Sequence, residues 1–261
     1  MRYNTVEVRF ENAIDPMATI RENLDFAILT SVYFMLLNFI SVNSSEVIQE
    51  KTSNILEFVL TSITPLQHFG AKIVTGLANV LIQVMLSVGI FMALFIQRWN
   101  ADQGQGLLSL ANKVFNLEAS GITPEAIKAL LIIQHDLWVK AGLALLFLLM
   151  GLLIIQVLIL VLSARVKTIE EAASIQGPFY LGLLALYYGC MAINTPQQLS
   201  QGIGRLLSIL PVSSMLVMGM RLLNSAVGEF EIAFSLAISL VCLFLLIWSG
   251  SSWYQKGLVN E

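Results

Sequence analysis

Charged residues are distributed along the chain so that five long apolar stretches contain none of them. Asp, Glu, Lys and Arg are absent from residues 26–45, 73–97, 141–164, 177–204 and 232–255. A helix needs about 20 residues, at about 1.5 Å each, to cross the hydrocarbon of a bilayer. In lipid the backbone must satisfy its own hydrogen bonds, so such stretches must be helical. The pattern predicts an all-α polytopic membrane protein.

Five transmembrane helices follow from these stretches. Their expected positions are about 26–44, 73–97, 141–164, 178–195 and 232–252. Between them lie a polar segment at 45–64 and a loop at 98–140 on the opposite side of the membrane. In this loop Thr123 and Pro124 favour the start of an amphipathic helix, with Trp138 and Lys140 as membrane-interface anchors.

A sixth apolar stretch, at 206–220, is too short to span comfortably. Arginines at 205 and 221 bound it, and Pro211 interrupts it. Because proline lacks an amide donor and clashes with the preceding turn, the helix should break there. We expect a re-entrant hairpin over 206–221 on the outer side; the alternative is a short, tilted sixth span.

The segment at 45–64 has apolar residues at roughly helical spacing, with charged and hydroxyl residues on the other faces. Ser45 is placed to cap such a helix, and Pro65 is expected to end or redirect it. Two interpretations remain open at this point. The helix is either an interfacial connector or a docking element that receives force from a soluble partner.

Composition agrees with the membrane class but leaves the orientation open. Hydrophobic residues make up 57% of the chain and charged residues 12%, against about 25% charged in an ordinary soluble domain. Mean hydropathy is +0.79. Basic residues are almost equally dense in the loops on the two sides, so the positive-inside rule does not decide the topology. Nothing in the charge pattern predicts a nucleic-acid partner.

Several kinds of chemistry are not expected. The phosphate-binding spacing G-x-x-x-x-G-K-[ST] is absent, so the chain should not hydrolyse ATP and is not predicted to be an enzyme. His68 and His135 show no metal-ligand spacing, and each is expected at a solvated or interfacial position without a metal. Cys190 and Cys242 lie in apolar stretches, where buried thiols are the default.

A few neutral polar residues lie inside the predicted spans. Asn79 and Gln83 share a helix face, and Gln156 lies in the third span. One interpretation is that these three line a translocation pathway. The other is that they form hydrogen bonds between helices, which is the usual role of such residues.

Three stretches of sequence occur in an order that points to a known family. Residues 46–72 read EVIQEKTSNILEFVLTSITPLQHFGAK, with a Glu-Lys-Thr-Ser stretch, a Leu-Glu pair, a Ser-x-x-Pro turn and a Gly-Ala-Lys entry to the next helix. SARVKTIEEA at 163–172 is followed by Gln-Gly-Pro, and VEVRF stands at 6–10. Together these resemble the first loop, the second loop and the last extracellular strand of ABC-2 type transporter permeases of the sodium-exporter-type subgroup. The resemblance covers most of the chain.

The resemblance implies a type V exporter-like architecture and assigns roles to residues in both cytoplasmic loops. Coupling to a cytoplasmic ATPase is implied for Glu46, Glu50, Lys51, Glu57, Pro65 and Lys72. A second cytoplasmic contact is implied for Arg165, Lys167, Glu170 and Glu171. ATP and magnesium would be bound by the partner subunit, and no cofactor by this chain.

The implied function is that of a permease subunit of an ABC exporter in the cell membrane, paired with a second copy or a related permease. Its N-terminus would be outside and its C-terminus cytoplasmic. Family members usually begin with a further helix and a large extracellular domain, of which residues 1–25 resemble a remnant; the rest is expected to be missing or supplied by another chain. An assembly or sensory subunit of an ABC complex is the alternative. A secondary transporter fits less well because only one broken helix is seen. The substrate stays open.

Overall fold

The computed structural model describes residues 16–53, 55–102, 109, 135–166, 168, 171–193, 195–224 and 227–259. Regular structure in these ranges is entirely α-helical. The helices, numbered in chain order, are α1 Pro16–Thr52, α2 Ile55–Ser62, α3 Pro65–Asp102, α4 His135–Ser163, α5 Ala172–Ala192, α6 Pro196–Ser200, α7 Gly202–Ile209, α8 Ser214–Asn224 and α9 Glu229–Val259.

Four helices contain segments long and apolar enough to cross a membrane. These segments are Asp25–Thr52, Pro65–Arg98, Val139–Ser163 and Glu229–Gly257. They agree with four of the predicted spans and with a polytopic all-α membrane protein. The span predicted at 178–195 coincides with α5, whose 21 residues cover about 31 Å. Helix α5 is not among the four segments that are long and apolar enough, and its crossing stays a prediction.

The contacts of Lys51, in the last turn of α1, show how three long helices are oriented relative to one another. Its ammonium donates to the carbonyl oxygen of Ala164, 2.7 Å away, and to that of Gly257, 2.9 Å away. Ala164 follows α4 and Gly257 lies in the last turn of α9. The C-terminal ends of α1, α4 and α9 therefore meet at one end of the bundle, which is called the Lys51 end below.

The opposite end, called the Arg221 end below, is marked by the carboxylate of Glu231 near the start of α9. Arg205 in α7 lies 2.5 Å from this carboxylate, and Arg221 in α8 lies 2.7 Å from it. Both limbs of the α7–α8 hairpin therefore reach the same end of the bundle. The two limbs are bent by 119° relative to each other.

Helix α5 runs between these two ends. It begins soon after Ala164, at the Lys51 end. Near its other end, the hydroxyl of Tyr187 lies 3.0 Å from that of Thr30, and its ring centroid lies 4.9 Å from that of Tyr33. Thr30 is close to the start of the apolar part of α1, far from Lys51. The hairpin α7–α8 is consequently entered from the Arg221 end and left at the same end.

The hairpin breaks where the sequence predicts it, at Pro211. In a continuous helix the amide of residue 211 would donate to the carbonyl of Leu207, and proline has no such donor. The hydroxyl of Ser213 donates to that carbonyl instead, at 2.6 Å. Ser214 donates through its hydroxyl to the Pro211 carbonyl at 3.0 Å. The Ser213 hydroxyl thus takes the place of the amide donor that proline lacks.

Helix α4 is the centre of the bundle. More than half of its apolar window is buried, 56%, against 7% for α3. At Gly151 the Met215 side chain of α8 packs so closely against α4 that an added Cβ would lie 2.5 Å from the Cβ of Met215. Glycine is therefore required at this position, because any side chain would separate the two helices. The main core is formed by α1, α4, α5 and α8 around Leu36, Ile159 and Val217.

The structure corrects the predicted helix at 45–64. Helix α1 continues through Ser45 to Thr52, so Ser45 is not an N-cap. The helix continues because Val47 and Ile48, both 1% exposed, extend its buried face, and Ser44 hydrogen-bonds to Ser163. Only Ile55–Ser62 forms a separate short helix. Residues 6–10, Thr123 and Pro124 lie outside the described residues, whereas Trp138 and Lys140 lie in α4.

Candidate functional site

Three charged side chains from the first loop meet at the Lys51 end. Glu46 and Glu50 lie one turn apart on α1, so their carboxylates share a face. Lys72 of α3 approaches both: its ammonium lies 2.6 Å from Glu50 and 3.4 Å from Glu46. The Lys72 side chain is 13% exposed. The ion pairs therefore join α1 to α3 at their ends, on either side of α2.

His68 belongs to the same cluster, contrary to the expectation of a solvated or interfacial position. Its side chain is buried, with Nε2 3.3 Å from Glu50 and Nδ1 2.9 Å from the hydroxyl of Tyr254. Tyr254 is fully buried in the last turns of α9. Residues 68 and 72 are one helical turn apart, so they share a face of α3. This spacing could have predicted that His68 lies beside Lys72, on the face that meets Glu50.

Lys51 donates to backbone carbonyls of two other helices. The carbonyls at the C-terminal end of a helix have no partner within the helix and carry partial negative charge. One ammonium satisfies such carbonyls at the ends of α4 and α9. Gly257 permits this approach, since an added Cβ there would lie 3.2 Å from the backbone of Ala164. The implied coupling residue is thus also the point at which three helix ends are tied together.

Pro65 redirects the chain as predicted. It is the first residue of α3, where its missing amide costs nothing. The residue before it forms a reciprocal cap: the amide of Thr64 donates to the Gln67 side chain at 2.9 Å, and the amide of Gln67 donates to the Thr64 hydroxyl at 3.3 Å. The turn between α2 and α3 is therefore held by defined hydrogen bonds.

The short helix α2 presents an exposed apolar surface at the Lys51 end. Phe58 is 76% exposed, and Ile55 and Leu66 are each 53% exposed. Leu56, which is 5% exposed, anchors the other side of α2. Glu57 lies in α2, but its side chain is outside the described residues. We call Ile55, Phe58 and Leu66 the α2 surface. None of these three residues is among the coupling residues that the resemblance implies.

The second loop packs against the end of α9. The guanidinium of Arg165 lies 4.6 Å from the centre of the Trp253 ring, which is cation–π geometry. Glu171 is the N-cap residue of α5 and is exposed. Lys167 and Glu170 lie outside the described residues. The two loops are therefore brought to the same end of the bundle, since Tyr254 contacts the first loop and Trp253 the second.

The three candidate pathway residues occupy different environments. Gln156 is fully buried and donates to the Lys72 carbonyl at 2.8 Å. Gly76 makes room for it, since an added Cβ would come within van der Waals overlap of the Gln156 amide. Gln156 thus joins α4 to α3, as the hydrogen-bonding interpretation expects. Asn79 is exposed on α3 and Gln83 is half-buried. Their pathway role stays a prediction.

No metal or disulfide site emerges from the part of the chain that the structure describes. There, no three His, Cys, Asp or Glu side chains come close enough together to hold a metal ion. Cys190 and Cys242 are both free thiols.

A comparison with known protein families gives one match. The family model described as ABC-2 family transporter protein matches residues 9–250, which is most of the chain. No curated protein and no solved structure matches the chain.

Proposed function

The chain belongs to the ABC-2 transporter family, and from this premise we propose that it is an export-type permease subunit whose α2 surface docks a separate cytoplasmic ATPase. Members of this family are the non-catalytic transmembrane subunits of ABC transporters. They lie in the membrane and work with a separate ATPase subunit. The observation that carries the proposal is the exposure of Phe58 at the bundle end where both loops meet. An exposed aromatic residue flanked by aliphatic ones is typical of the centre of a protein interface.

The charged residues of the first loop transmit force in this proposal rather than contact the partner. Glu50, Lys51 and Lys72 are at least half-buried in contacts within the chain. Movement of α2 is passed along the chain to the end of α1 and through the Thr64 cap to α3, and Lys51 passes it on to the ends of α4 and α9. The pairs formed by Lys72 keep α1 and α3 together during this movement. Arg165, stacked on Trp253, places the second loop beside this route.

The test is capture of the cognate ATPase by the full chain after solubilisation. Phe58→Asp should reduce the retained ATPase by about tenfold or more, because truncation of a central interface aromatic commonly costs 2 kcal/mol or more. The matched control is Phe230→Asp in the first turn of α9, an aromatic residue that is 80% exposed at the opposite end of the bundle and lies between two glutamates. If Phe58→Asp retains as much ATPase as the wild type, α2 is an interfacial connector and the docking proposal is wrong.

The orientation follows from the docking proposal. The Lys51 end faces the cytoplasm, the Arg221 end faces outward, and α5 is the fifth span, with α7–α8 as a re-entrant hairpin. The N-terminus is then outside and the C-terminus inside. A membrane-impermeant thiol reagent tests this in intact cells. It should label Gln201→Cys at the Arg221 end and not Ser53→Cys at the Lys51 end; both positions are exposed. The reverse labelling contradicts the orientation.

The pathway is proposed to form where two permease subunits meet along α3. Asn79 is exposed on a helix whose apolar window is only 7% buried, so its amide would face hydrocarbon in an isolated subunit. Polar groups in that position are costly and normally face a protein interior or a water-filled cavity. A second copy or a related permease would supply that cover for Asn79 and Gln83.

Sodium is the substrate suggested by the second-loop resemblance. Uptake or export assays in vesicles that contain only this subunit and its ATPase would separate a transporter from an assembly or sensory subunit. ATP-dependent movement of any solute supports the permease function. ATPase binding without transport supports the alternative, in which the chain is a non-transporting membrane subunit of an ABC complex.

A further inference from the structure

A cavity of about 210 Å³ lies between α1, α4 and α8 at the Arg221 end. Ten of its eleven lining residues are apolar or glycine, among them Ile28 of α1, Ala144 of α4, and Met215 and Gly219 of α8. The eleventh is Asp25, where the apolar part of α1 begins. The site is far from the α2 surface, because Asp25 and Thr52 are the two ends of one 28-residue span.

Asp25 places a buried carboxylate in the wall of the cavity. Its side chain is buried, with 5% of the residue exposed, in a wall that contributes no other ionisable group. A buried carboxylate is costly unless cationic or hydrogen-bonding groups stabilise it. Asp25 interacts with another group of the chain. A carboxylate has about four acceptor sites, so it can also accept hydrogen bonds from a bound cation.

The size of the cavity limits the apolar part of a ligand. A dry apolar cavity of about 150 Å³ is known to hold benzene. The volume of about 210 Å³ therefore accommodates a phenyl ring or a short alkyl group. We infer that this cavity binds a compound in which an ammonium group is attached to such an apolar group. The apolar group would pack between Ile28, Ala144 and Met215, and the ammonium would donate to Asp25.

Binding of 2-phenylethylammonium to the full chain in phosphatidylcholine nanodiscs tests this site by titration calorimetry. We expect saturable binding beyond that of empty nanodiscs. The neutral analogue 2-phenylethanol should bind about tenfold more weakly or worse, because it lacks a charge-assisted hydrogen bond to Asp25. Asp25→Asn should weaken ammonium binding by a similar factor. The matched control is Glu229→Gln, which removes an exposed carboxylate at the same end of the bundle and should leave the affinity within about twofold, since surface charges are screened.

A second variant tests the apolar part of the cavity without altering Asp25. An added Cβ at Gly219 meets only the Cβ of Ala144, at an ordinary distance of 3.7 Å, so a side chain can be introduced there without a clash of that atom. Gly219→Val should fill part of the cavity and weaken binding. Gly142→Val is the matched control, because an added Cβ there meets nothing within 4 Å and Gly142 does not line the cavity.

The same ligand chemistry occurs in soluble amines and in lipids with an ammonium headgroup. Phosphatidylethanolamine added to the nanodiscs distinguishes these sources. It should compete with phenylethylammonium if a lipid is the occupant and leave the affinity unchanged if a soluble amine is. The inference is overturned if ammonium and alcohol bind equally, if folded Asp25→Asn binds like the wild type, if Gly219→Val has no effect, or if empty nanodiscs bind as much. No ATPase takes part, so the result is independent of the coupling test.

Discussion

The two ends of the bundle both place ionised side chains at the limits of apolar segments, but they connect different parts of the chain. At the Lys51 end, one ammonium reaches Ala164 and Gly257, so helices distant in sequence are tied together. At the Arg221 end, Arg205 and Arg221 share Glu231, and all three lie within one stretch of the chain. The first arrangement holds the whole bundle, whereas the second holds a single hairpin against the start of α9. We therefore expect a substitution at the Lys51 end to destabilise several helices at once. A substitution at the Arg221 end should destabilise only the hairpin and its contact with α9.

The largest effect is expected from Glu231→Leu at the Arg221 end. Arg221, whose side chain is 3% exposed, would lose the carboxylate of Glu231 while remaining buried. Removing the ion-pair partner of a buried charge commonly costs about 3–5 kcal/mol. The free energy of unfolding, measured by titration with SDS, should fall by this amount, and hydrogen exchange should rise in α7 and α8. Glu229→Leu is the control. Faster exchange throughout α1 and α4 would contradict the local character of this end.

A smaller loss of stability with wider consequences is expected from Lys51→Met. Two charged hydrogen bonds to carbonyl oxygens disappear, and such bonds contribute roughly 1.5–3 kcal/mol each. The measured loss should be about 2–3 kcal/mol because water reaches this end and replaces part of the interaction. Hydrogen exchange should increase at the C-terminal ends of α1, α4 and α9 together. An increase in hydrogen exchange in α1 alone would contradict the inference that Lys51 holds three helix ends together.

Gly76→Ala probes how α3 is attached near the Lys51 end. The added Cβ overlaps the buried amide of Gln156, so α3 must move away from α4 or Gln156 must leave the Lys72 carbonyl. Overpacking of this kind costs about 1–3 kcal/mol. Adding Gln156→Ala should recover part of the loss in a double-mutant cycle. If the two losses simply add, the contact between these two residues is not the cause.

The smallest effect is expected from Tyr254→Phe. The change removes one hydroxyl, which lies 2.9 Å from Nδ1 of His68, and leaves the ring packed against Phe69. A neutral hydrogen bond contributes about 1 kcal/mol. The unfolding free energy should fall by about that much, while ATPase capture should stay close to that of the wild type. A loss of capture as large as that of Phe58→Asp would mean that Tyr254 transmits the coupling.

The positions of the long apolar helices and the break at Pro211 could be predicted because they depend on local properties: run length and the missing amide of proline. The pairing of Lys72 with Glu50 could not, because it depends on how α1 and α3 lie side by side. The same holds for His68, whose burial is caused by Tyr254 at the far end of the sequence. The prediction for Ser45 was wrong because a residue suited to an N-cap acts as one only where a helix begins, and the buried face of α1 continues past Ser45.

Helix α1 has no interruption between the residue that lines the cavity and the residues that join it to α2. This helix can therefore tilt as one rigid body. Its span from Asp25 to Thr52 contains 28 residues, or about 42 Å, so a tilt of about 5° at one end displaces the other by about 4 Å. A displacement of that size is about half the diameter of a sphere with the volume of the cavity, about 210 Å³. If ATPase subunits close at the Lys51 end, as the proposed function requires, the wall that holds Asp25 would change shape without any change in the secondary structure of α1.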